Sequence, residues 1–280
     1  MNRGEFQAAI AHNQVLLTHV QEIKTDHPLW GYRRILSFLS TAKACRGVVP
    51  DYDTEVFYWY GWLPKNWEKI SNSETWKRIF PKMLLRYIRE AKNDNNNKLK
   101  LLEVGSCPVS MLAWGIKKNL FQITAIDPLA DIYEGIMKAY NYDYPVKPIN
   151  GYGEKLLQVV AKNSFDLVYS SNALDHARSP ERCVENMVEA LKKKGIICLE
   201  GFINEGSKHF FSGLHQYNLE PIDGHLFCSD KRKKMKNLTK KLRLKCMYQQ
   251  VVKTGERANN TPFVRGDNDS EWYTIIFQKI

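Results

Sequence analysis

The stretch that decides the fold is 101-LLEVGSCPVS-110. An apolar run is followed by an acid, Glu103, and a glycine, Gly105, as at the end of the first strand of many nucleotide-binding sheets. The next turn places Cys107 and Pro108 where a pyrophosphate-binding loop has more glycines, since several backbone amides must approach the phosphates there. The stretch therefore predicts a buried strand and a ligand loop in which one glycine permits a close approach of the backbone.

Strand and helix patterns alternate after this point. The predicted strands are 99-LKLLEVGS-106, 121-FQITAIDP-128, 146-VKPIN-150, 165-FDLVYSSN-172 and 195-GIICLEGF-202. Each of the first four is followed by a helical segment, and the helix before the fifth strand is predicted from 179-SPERCVENMVEALKKKG-195. Nearly continuous apolar strands separated by helices indicate a parallel sheet that is covered on both faces.

The last part of the chain has a different pattern. Further strands are predicted at 224-GHLFCSD-230, 243-RLKCMYQQVVK-253 and 272-WYTIIFQKI-280, and the last two should form an antiparallel hairpin at the edge of the sheet. The basic segment 231-KRKKMKNLTKKLRLK-245 has Met235, Leu238 and Leu242 at helical spacing, which favours a lysine-rich surface helix.

The composition narrows the classes of protein. The chain has 280 residues, a formal net charge of +11 and six scattered cysteines, without a Cys/His cluster at metal-ligand spacing. This argues against a zinc site and for free thiols in a reducing compartment, so no metal-ligating residue is assigned and metal dependence stays open. No apolar run approaches the roughly 20 residues of a membrane span, and the N-terminus lacks the apolar core of a signal peptide, which predicts a cytoplasmic protein.

The N-terminal part divides at two places. The motif 27-HPLWGYRRI-35 resembles the helix-turn-helix segment that precedes the catalytic domain of insertion-sequence transposases. No spaced acidic triad follows, so residues 1–45 are interpreted as a helical fusion scar, with an ordinary helical hairpin as the alternative. Residues 46–98 are predicted to form an aromatic-rich helical cap, which either covers an active site or only packs helical layers together. The polar segment 92-KNDNNNK-98 marks the next boundary.

Five parallel strands with a terminal hairpin resemble the class I S-adenosylmethionine-dependent methyltransferases. The resemblance covers about residues 99–280 and rests on motifs that occur in order: 103-EVG-105, 124-TAIDPLADIY-133, 151-GYGEKL-156 and 165-FDLVYSSNALDHARSP-180. It implies an α/β Rossmann-like methyltransferase sheet flanked by helices, here with an N-terminal helical extension. It also implies S-adenosylmethionine as the cofactor, and because this ligand carries no phosphate, the missing glycines argue against NAD more strongly than against a methyl donor.

The resemblance assigns the cofactor site residue by residue. Glu103 would face the ammonium group, and Gly105 would let the backbone approach the ligand. Asp127 would accept hydrogen bonds from the ribose hydroxyls, although it could also cap the following helix. The 151–156 turn would lie along the adenine. The predicted cofactor-binding residues are Glu103, Gly105, Ser106, Asp127, Pro128, Tyr152, Gly153, Glu154, Ser171 and Asn172.

The catalytic residues are predicted from two stretches, A-L-D-H at 173–176 and G-L-H-Q-Y-N at 213–218, which occur together in some bacterial members of the family. For a hydroxyl acceptor the candidate bases rank as His215, His176 and Asp175. Gln216 and Asn218 are further candidates on the substrate side.

A small-molecule or glycan acceptor is the leading prediction. Nucleic acid is an alternative, favoured by the basic segment but not by the motif after the fourth strand. A non-catalytic binding protein is a third possibility.

Overall fold

The computed structural model describes residues 52–93, 98–211, 213–253 and 270–280. The transposase-like segment at 27–35 lies outside the described residues, so its interpretation stays a prediction. The description therefore begins at the aromatic-rich segment and includes the whole predicted sheet. No helix in the described ranges is both long and apolar enough to cross a bilayer.

The main sheet has seven strands among the described residues, in the order β3-β2-β1-β4-β5-β10-β9. The strands are β1 (Leu99–Val104), β2 (Phe121–Asp127), β3 (Ile149–Asn150), β4 (Phe165–Ser171), β5 (Leu191–Phe202), β9 (Leu244–Lys253) and β10 (Glu271–Lys279). β1 to β5 are parallel, and β10 pairs antiparallel with both β5 and β9. This layout confirms the predicted Rossmann-like methyltransferase sheet with its terminal antiparallel hairpin.

Successive side chains of each strand point to opposite faces of the sheet, and helices bury both faces. Leu101 of β1 and Ile196 of β5 pack on one face with a cluster that includes helix α3 (Lys82–Asn93). Leu102 and Ile197 point to the other face, where they pack with α6 (Pro180–Ala190). The remaining crossover helices are α4 (Ala113–Lys117) and α5 (Ala130–Ala139), and short 3-10 helices span Gly153–Gln158 and Leu174–His176.

Two helices precede α3 and carry most of the aromatic residues of this region. α1 (Tyr52–Ile70) packs against α5, with Trp59 in edge-to-face contact with Tyr133. α2 (Ser73–Ile79) begins at Asn72, whose side chain accepts a hydrogen bond from the amide of Glu74. The chain bends before α3 at Pro81, which cannot supply the amide that a continuous helix needs.

The predicted helix in the basic segment is wrong. Residues 231–245 form turns and two strands instead: β8 (Met235–Asn237) and the beginning of β9. β8 pairs with β7 (His225–Ser229), which pairs with β6 (Asn218–Ile222) to make a small antiparallel sheet. Met235 is 55% exposed whereas Leu238 is 3% exposed, so these residues do not share a helical face.

The helix before β5 ends earlier than the sequence predicts. α6 has the predicted N-cap, since the Ser179 hydroxyl accepts a hydrogen bond from the amide of Arg182. The helix ends at Ala190, however, and β5 already begins at Leu191. The side chain of Leu191 is fully buried and its backbone pairs with Phe165 of β4, so strand pairing takes residues that sequence periodicity assigns to the helix.

Candidate active site

A cavity of about 370 Å³ opens at the carboxyl ends of β1, β2 and β4. Parallel α/β sheets commonly bind ligands at this edge, and the volume is that of a small-molecule site. The structure brings all ten residues predicted to bind the cofactor to the wall of this cavity. They are Glu103, Gly105, Ser106, Asp127, Pro128, Tyr152, Gly153, Glu154, Ser171 and Asn172.

The loop after β1 has left-handed backbone at two positions. Gly105 has φ +73°, and a Cβ placed on it would lie 2.3 Å from the Cβ of Ala173. Cys107 has φ +50°, which is uncommon for a residue other than glycine. Its amide donates a hydrogen bond to Oδ2 of Asp127 at 3.0 Å. The loop thus has the turn of a glycine-rich loop with only one glycine in it.

Asp127 is buried and accepts two backbone hydrogen bonds. Besides the one from Cys107, Oδ1 accepts from the amide of Leu129 at 2.9 Å. Burial raises the pKa of Asp127 to about 7, while these two hydrogen bonds act in the opposite direction. A carboxylate oxygen can accept more than one hydrogen bond, so each oxygen retains acceptor capacity for a ligand hydroxyl. The alternative role as a helix cap is wrong, because the N-cap of α5 is Leu129 and no side chain caps it, so the two hydrogen bonds of Asp127 fix the turn and leave the residue able to bind a ligand.

Glu103 has an unusual environment, because it is only 3% exposed and only one of its two carboxylate oxygens accepts a hydrogen bond from a described residue. Oε1 accepts a hydrogen bond from the Ser110 hydroxyl at 2.8 Å, whereas Oε2 has no hydrogen-bond partner among the described residues. Burial raises the pKa of Glu103 to about 8. A buried carboxylate oxygen without a partner is costly, which makes Glu103 a ready acceptor for a cationic or hydrogen-bonding group in the cavity.

The turn after β3 is fixed by contacts with α6 and the residues just before it. Oε1 of Glu154 accepts hydrogen bonds from the amides of Arg178 and Ser179, so this carboxylate ties the turn to the start of α6. A Cβ on Gly153 would lie 2.7 Å from Sγ of Cys183. Gly153 is therefore required by packing, and Glu154 has a structural task in addition to any contact with a ligand.

Asn172 connects the ends of β4 and β5. Its backbone is left-handed, at φ +49°, and its amide donates to the carbonyl of Glu200 at 2.7 Å. Oδ1 of its side chain accepts from the amide of Phe202 at 3.2 Å. These contacts place the end of β4 beside the cavity and leave the side-chain amide nitrogen of Asn172 as the group to offer a ligand.

The three predicted catalytic residues converge on one point. Nδ1 of His215 lies 2.7 Å from Oδ2 of Asp175 and 3.2 Å from Nε2 of His176. Nε2 of His176 lies 3.4 Å from the same carboxylate oxygen. His176 and His215 line the cavity, and the buried Asp175 lies next to them. We call Asp175, His176 and His215 the inner cluster.

Charge shifts the pKa values within the inner cluster. Burial alone would raise the pKa of Asp175, but His176 and His215 bring it below its ordinary value. Burial alone would lower the pKa of His215, but its hydrogen bond to Asp175 and the nearby charges bring it above its ordinary value. The carboxylate thus stabilises a proton on the His215 ring.

Two residues near this cluster were missed by sequence reasoning. Oε2 of Glu205 lies 4.0 Å from Nδ1 of His215, and the His209 ring stacks on the His215 ring with centroids 4.0 Å apart. Both follow β5: Glu205 begins a short helix, α7 (Glu205–Lys208), and His209 is its C-cap. No spacing in the sequence connects them to the A-L-D-H stretch. The predicted substrate-side residues have a different position: Gln216 donates to loop carbonyls and Asn218 pairs with Ser207.

The rest of the wall is aromatic and acidic. α1 contributes Trp59, whose indole N–H donates to Glu55 at 2.6 Å, and the lining also includes Phe202 and Trp272 from the opposite side. Phe202 and Trp272 are in edge-to-face contact at 4.9 Å. Among the described lining residues there is no lysine or arginine, so this part of the wall offers no fixed positive charge to a phosphate.

Comparison with known proteins gives one family. Residues 102–199 match the family model described as a methyltransferase domain. The match begins in β1 and ends in β5, and it includes the strand ends that carry Glu103, Asp127 and Asn172. No curated protein matches the chain.

Many solved structures resemble this chain. Geranyl diphosphate C-methyltransferase from Streptomyces coelicolor A3(2) is 8% identical, with 71% of this chain and 81% of that chain covered and a TM-score of 0.45. A methyltransferase from Methanosarcina mazei is 14% identical, with 68% and 96% covered and a TM-score of 0.44. One from Mesorhizobium loti is 13% identical, with 65% and 91% covered and a TM-score of 0.43.

The family match covers the strands whose ends build the cavity, and the strand order with its reversed β10 is the layout that the sequence motifs implied. The match over residues 102–199 and the strand order together support a class I S-adenosylmethionine-dependent methyltransferase, with S-adenosylmethionine as its cofactor.

Proposed function

We propose that this protein transfers a methyl group from S-adenosylmethionine to a hydroxyl group of a small molecule or glycan. The observation that carries the proposal is the hydrogen-bonded pair Asp175–His215 at the wall of the cofactor cavity. A neutral hydroxyl must lose its proton as it becomes a nucleophile, and an imidazole held by a carboxylate can take that proton. A neutral amine would need less help, so this pair favours an oxygen acceptor.

The cavity fits the cofactor by charge. Glu103 has a buried carboxylate oxygen without a partner among the described residues, and the described lining has no lysine or arginine. Both features suit an ammonium and a sulfonium group, and neither suits a pyrophosphate. We assign Glu103 to the ammonium group and Asp127 to the ribose hydroxyls. Gly105, Ser106 and the loop amides would lie against the methionine end.

The other predicted cofactor residues complete the binding site. Pro128 and Tyr152–Glu154 would enclose the adenine, and Ser171 with Asn172 would lie beside the centre of the ligand. When bound, S-adenosylmethionine supplies a methyl group on a sulfonium that leaves as a neutral thioether. The protein's largest contribution is then alignment of the acceptor oxygen, which can be worth up to ~7–11 kcal/mol.

His215 is the group that we expect to receive the acceptor proton. Asp175 fixes the orientation of its ring and stabilises the imidazolium that forms, which is consistent with the raised pKa of His215. Trp59, from α1, and Trp272, from the opposite wall, keep part of the cavity apolar and limit the access of water. An aromatic wall also suits the apolar face of a sugar or of another ring.

The first test is binding. Calorimetric titration with S-adenosylhomocysteine should show a complex, and NAD should show none. Methyl transfer is then measured with labelled donor against pools of hydroxylated metabolites, glycans, amines and RNA. We expect the label in an alkali-stable methyl ether. Label found mainly in RNA or on nitrogen would contradict the proposed acceptor, and a folded protein that does not bind S-adenosylhomocysteine would contradict the whole proposal.

A pair of histidine variants tests the base. His215→Ala should lose at least about 100-fold in turnover, as expected for loss of a general base, while the affinity for S-adenosylhomocysteine changes little. His225→Ala is the matched control, because His225 lies on β7 outside the cavity wall and contacts the Thr239 hydroxyl. Equal turnover in the two variants would exclude His215 as the base. The cytoplasmic location expected from the sequence stays a prediction.

A further inference from the structure

We propose that the inner cluster, Asp175, His176 and His215, binds a divalent transition-metal ion at the acceptor end of the cavity. One ligand atom from each residue can face a common point, since these atoms all lie within 4.8 Å of one another. Binding of the ion is independent of the proposed function, whereas its role in catalysis rests on that function. The site was not apparent from the sequence, where His215 is far from the A-L-D-H stretch.

The distances resemble those between neighbouring ligands of one ion. With metal–ligand bonds of roughly 2.0–2.2 Å, neighbouring ligand atoms of a tetrahedral or octahedral site are roughly 2.8–3.6 Å apart. Nε2 of His176 is 3.2 Å from Nδ1 of His215 and 3.4 Å from Oδ2 of Asp175. The third distance, 2.7 Å between His215 and Asp175, is that of a hydrogen bond and needs a small opening.

Hydrogen bonds alone do not give each of the three facing atoms a good partner. The N–H at Nδ1 of His215 donates its hydrogen bond to Asp175. Nε2 of His176 therefore faces a nitrogen whose hydrogen already points to the carboxylate. A proton on Nε2 of His176 would have the same carboxylate oxygen as its acceptor, at the longer distance of 3.4 Å. A cation between the three atoms would accept a lone pair from each of them.

The ligand set indicates the class of metal. Two imidazoles and one carboxylate suit Zn²⁺, Fe²⁺, Co²⁺ or Ni²⁺ better than Mg²⁺ or Ca²⁺, which prefer oxygen ligands. Three protein ligands leave coordination positions open, as in catalytic sites. His176 and His215 line the cavity, so an open position would be accessible to an acceptor there.

The ion would give the cavity a second way to activate a hydroxyl. Coordination lowers the pKa of the acceptor hydroxyl, whose proton passes to water. The oxygen then forms the C–O bond to the methyl carbon while the C–S bond breaks and its electron pair stays on sulfur. In this state His215 is a ligand, and in the metal-free state it is the base.

A second group of possible ligands lies further out. Glu205, His209 and His215 also come within reach of one another. Glu205 is only 3.7 Å from Nζ of Lys208, so a positive charge already faces its carboxylate. Half of the His209 side chain is exposed. The proposal therefore commits to the inner cluster, and His209 provides the matched control.

The test uses the full chain without an affinity tag, titrated with Co²⁺ and Zn²⁺ after treatment with a chelator. We expect a single Co²⁺ ion per chain, with visible absorption that imidazole ligands produce. His176→Ala and Asp175→Asn should each weaken Zn²⁺ binding by at least about tenfold, whereas His209→Ala should leave it nearly unchanged. The affinity for S-adenosylhomocysteine without metal shows that each variant is folded.

The outcomes separate the two proposals. If wild-type protein binds S-adenosylhomocysteine but neither Co²⁺ nor Zn²⁺, the metal site is wrong and the methyltransferase proposal is unaffected. Loss of binding in His209→Ala but not in His176→Ala would also overturn the inner site. If metal binds as expected but no hydroxyl is methylated, the metal site is supported and the proposed hydroxyl acceptor is wrong.

Discussion

Replacing Gly105 by alanine tests whether the loop after β1 needs its one glycine for folding or for the ligand. Gly105 has φ +73°, a region that costs an L-residue about 1–2 kcal/mol. The new Cβ would also lie 2.3 Å from the Cβ of Ala173, and overpacking of this kind costs about 1–3 kcal/mol more. We expect Gly105→Ala to lower the free energy of unfolding by about 2–5 kcal/mol, measured by urea denaturation with tryptophan fluorescence.

A second substitution separates the two costs. Ala173→Gly removes the methyl group that the new Cβ would meet, so in the Gly105→Ala background it should restore about 1–3 kcal/mol of stability. The double variant would be folded yet still carry a methyl group at the cavity wall. If the backbone at this position approaches the cofactor, S-adenosylhomocysteine should bind the double variant at least about tenfold more weakly than it binds Ala173→Gly alone.

Two results would refute this reasoning. A loss of less than about 1 kcal/mol in Gly105→Ala would show that the loop relaxes without cost. A double variant with restored stability and unchanged affinity would show that Gly105 is required for its contact with Ala173 and not for the ligand. Ala173→Gly alone is the reference in both comparisons.

Three further outcomes are expected. Asp127→Asn should weaken S-adenosylhomocysteine binding about 10- to 100-fold in calorimetry, because hydrogen bonds to a charged group contribute about 1.5–3 kcal/mol. Because burial raises the pKa of Glu103 from 4.5 to about 8, the folded apo protein holds a proton that the unfolded chain releases. Its free energy of unfolding should therefore fall as pH rises through that window, and ligand affinity should rise with pH toward about 8. Glu103→Gln should make both slopes shallower, and the slope that remains below about pH 7 belongs to Asp127, whose pKa burial raises to about 7. Glu154→Ala should lower thermal stability by about 1–3 kcal/mol, because the amides of Arg178 and Ser179 lose their acceptor; no change in melting temperature would contradict this.

The sheet was predictable because its strands are local patterns with strong signals. β1, β2 and β4 are apolar runs that end in polar residues, and a parallel sheet puts such ends at one edge. The residues predicted to bind the cofactor lie together for this reason. Their roles follow from the resemblance and stay predictions until binding is measured.

The strands of the basic segment could not be predicted from its local sequence pattern. Met235 and Leu238 have helical spacing, but Leu238 is buried through the pairing of β8 with β7, and its amide donates to the carbonyl of Leu226. Strand pairing between distant residues overrides a weak helical pattern. The same kind of long-range contact brings Glu205 and His209 next to His215, and no periodicity in the sequence reports it.

The loop after β1 shows why one glycine can be sufficient there. Cys107 has φ +50°, the conformation that a glycine would adopt easily, and its amide thereby reaches Asp127. The strain costs about 1–2 kcal/mol, which the surrounding contacts can outweigh. At Gly105 the backbone is similar, but Ala173 leaves no space for a Cβ. The two positions therefore differ in available space rather than in backbone conformation, so position 107 tolerates a side chain whereas position 105 does not.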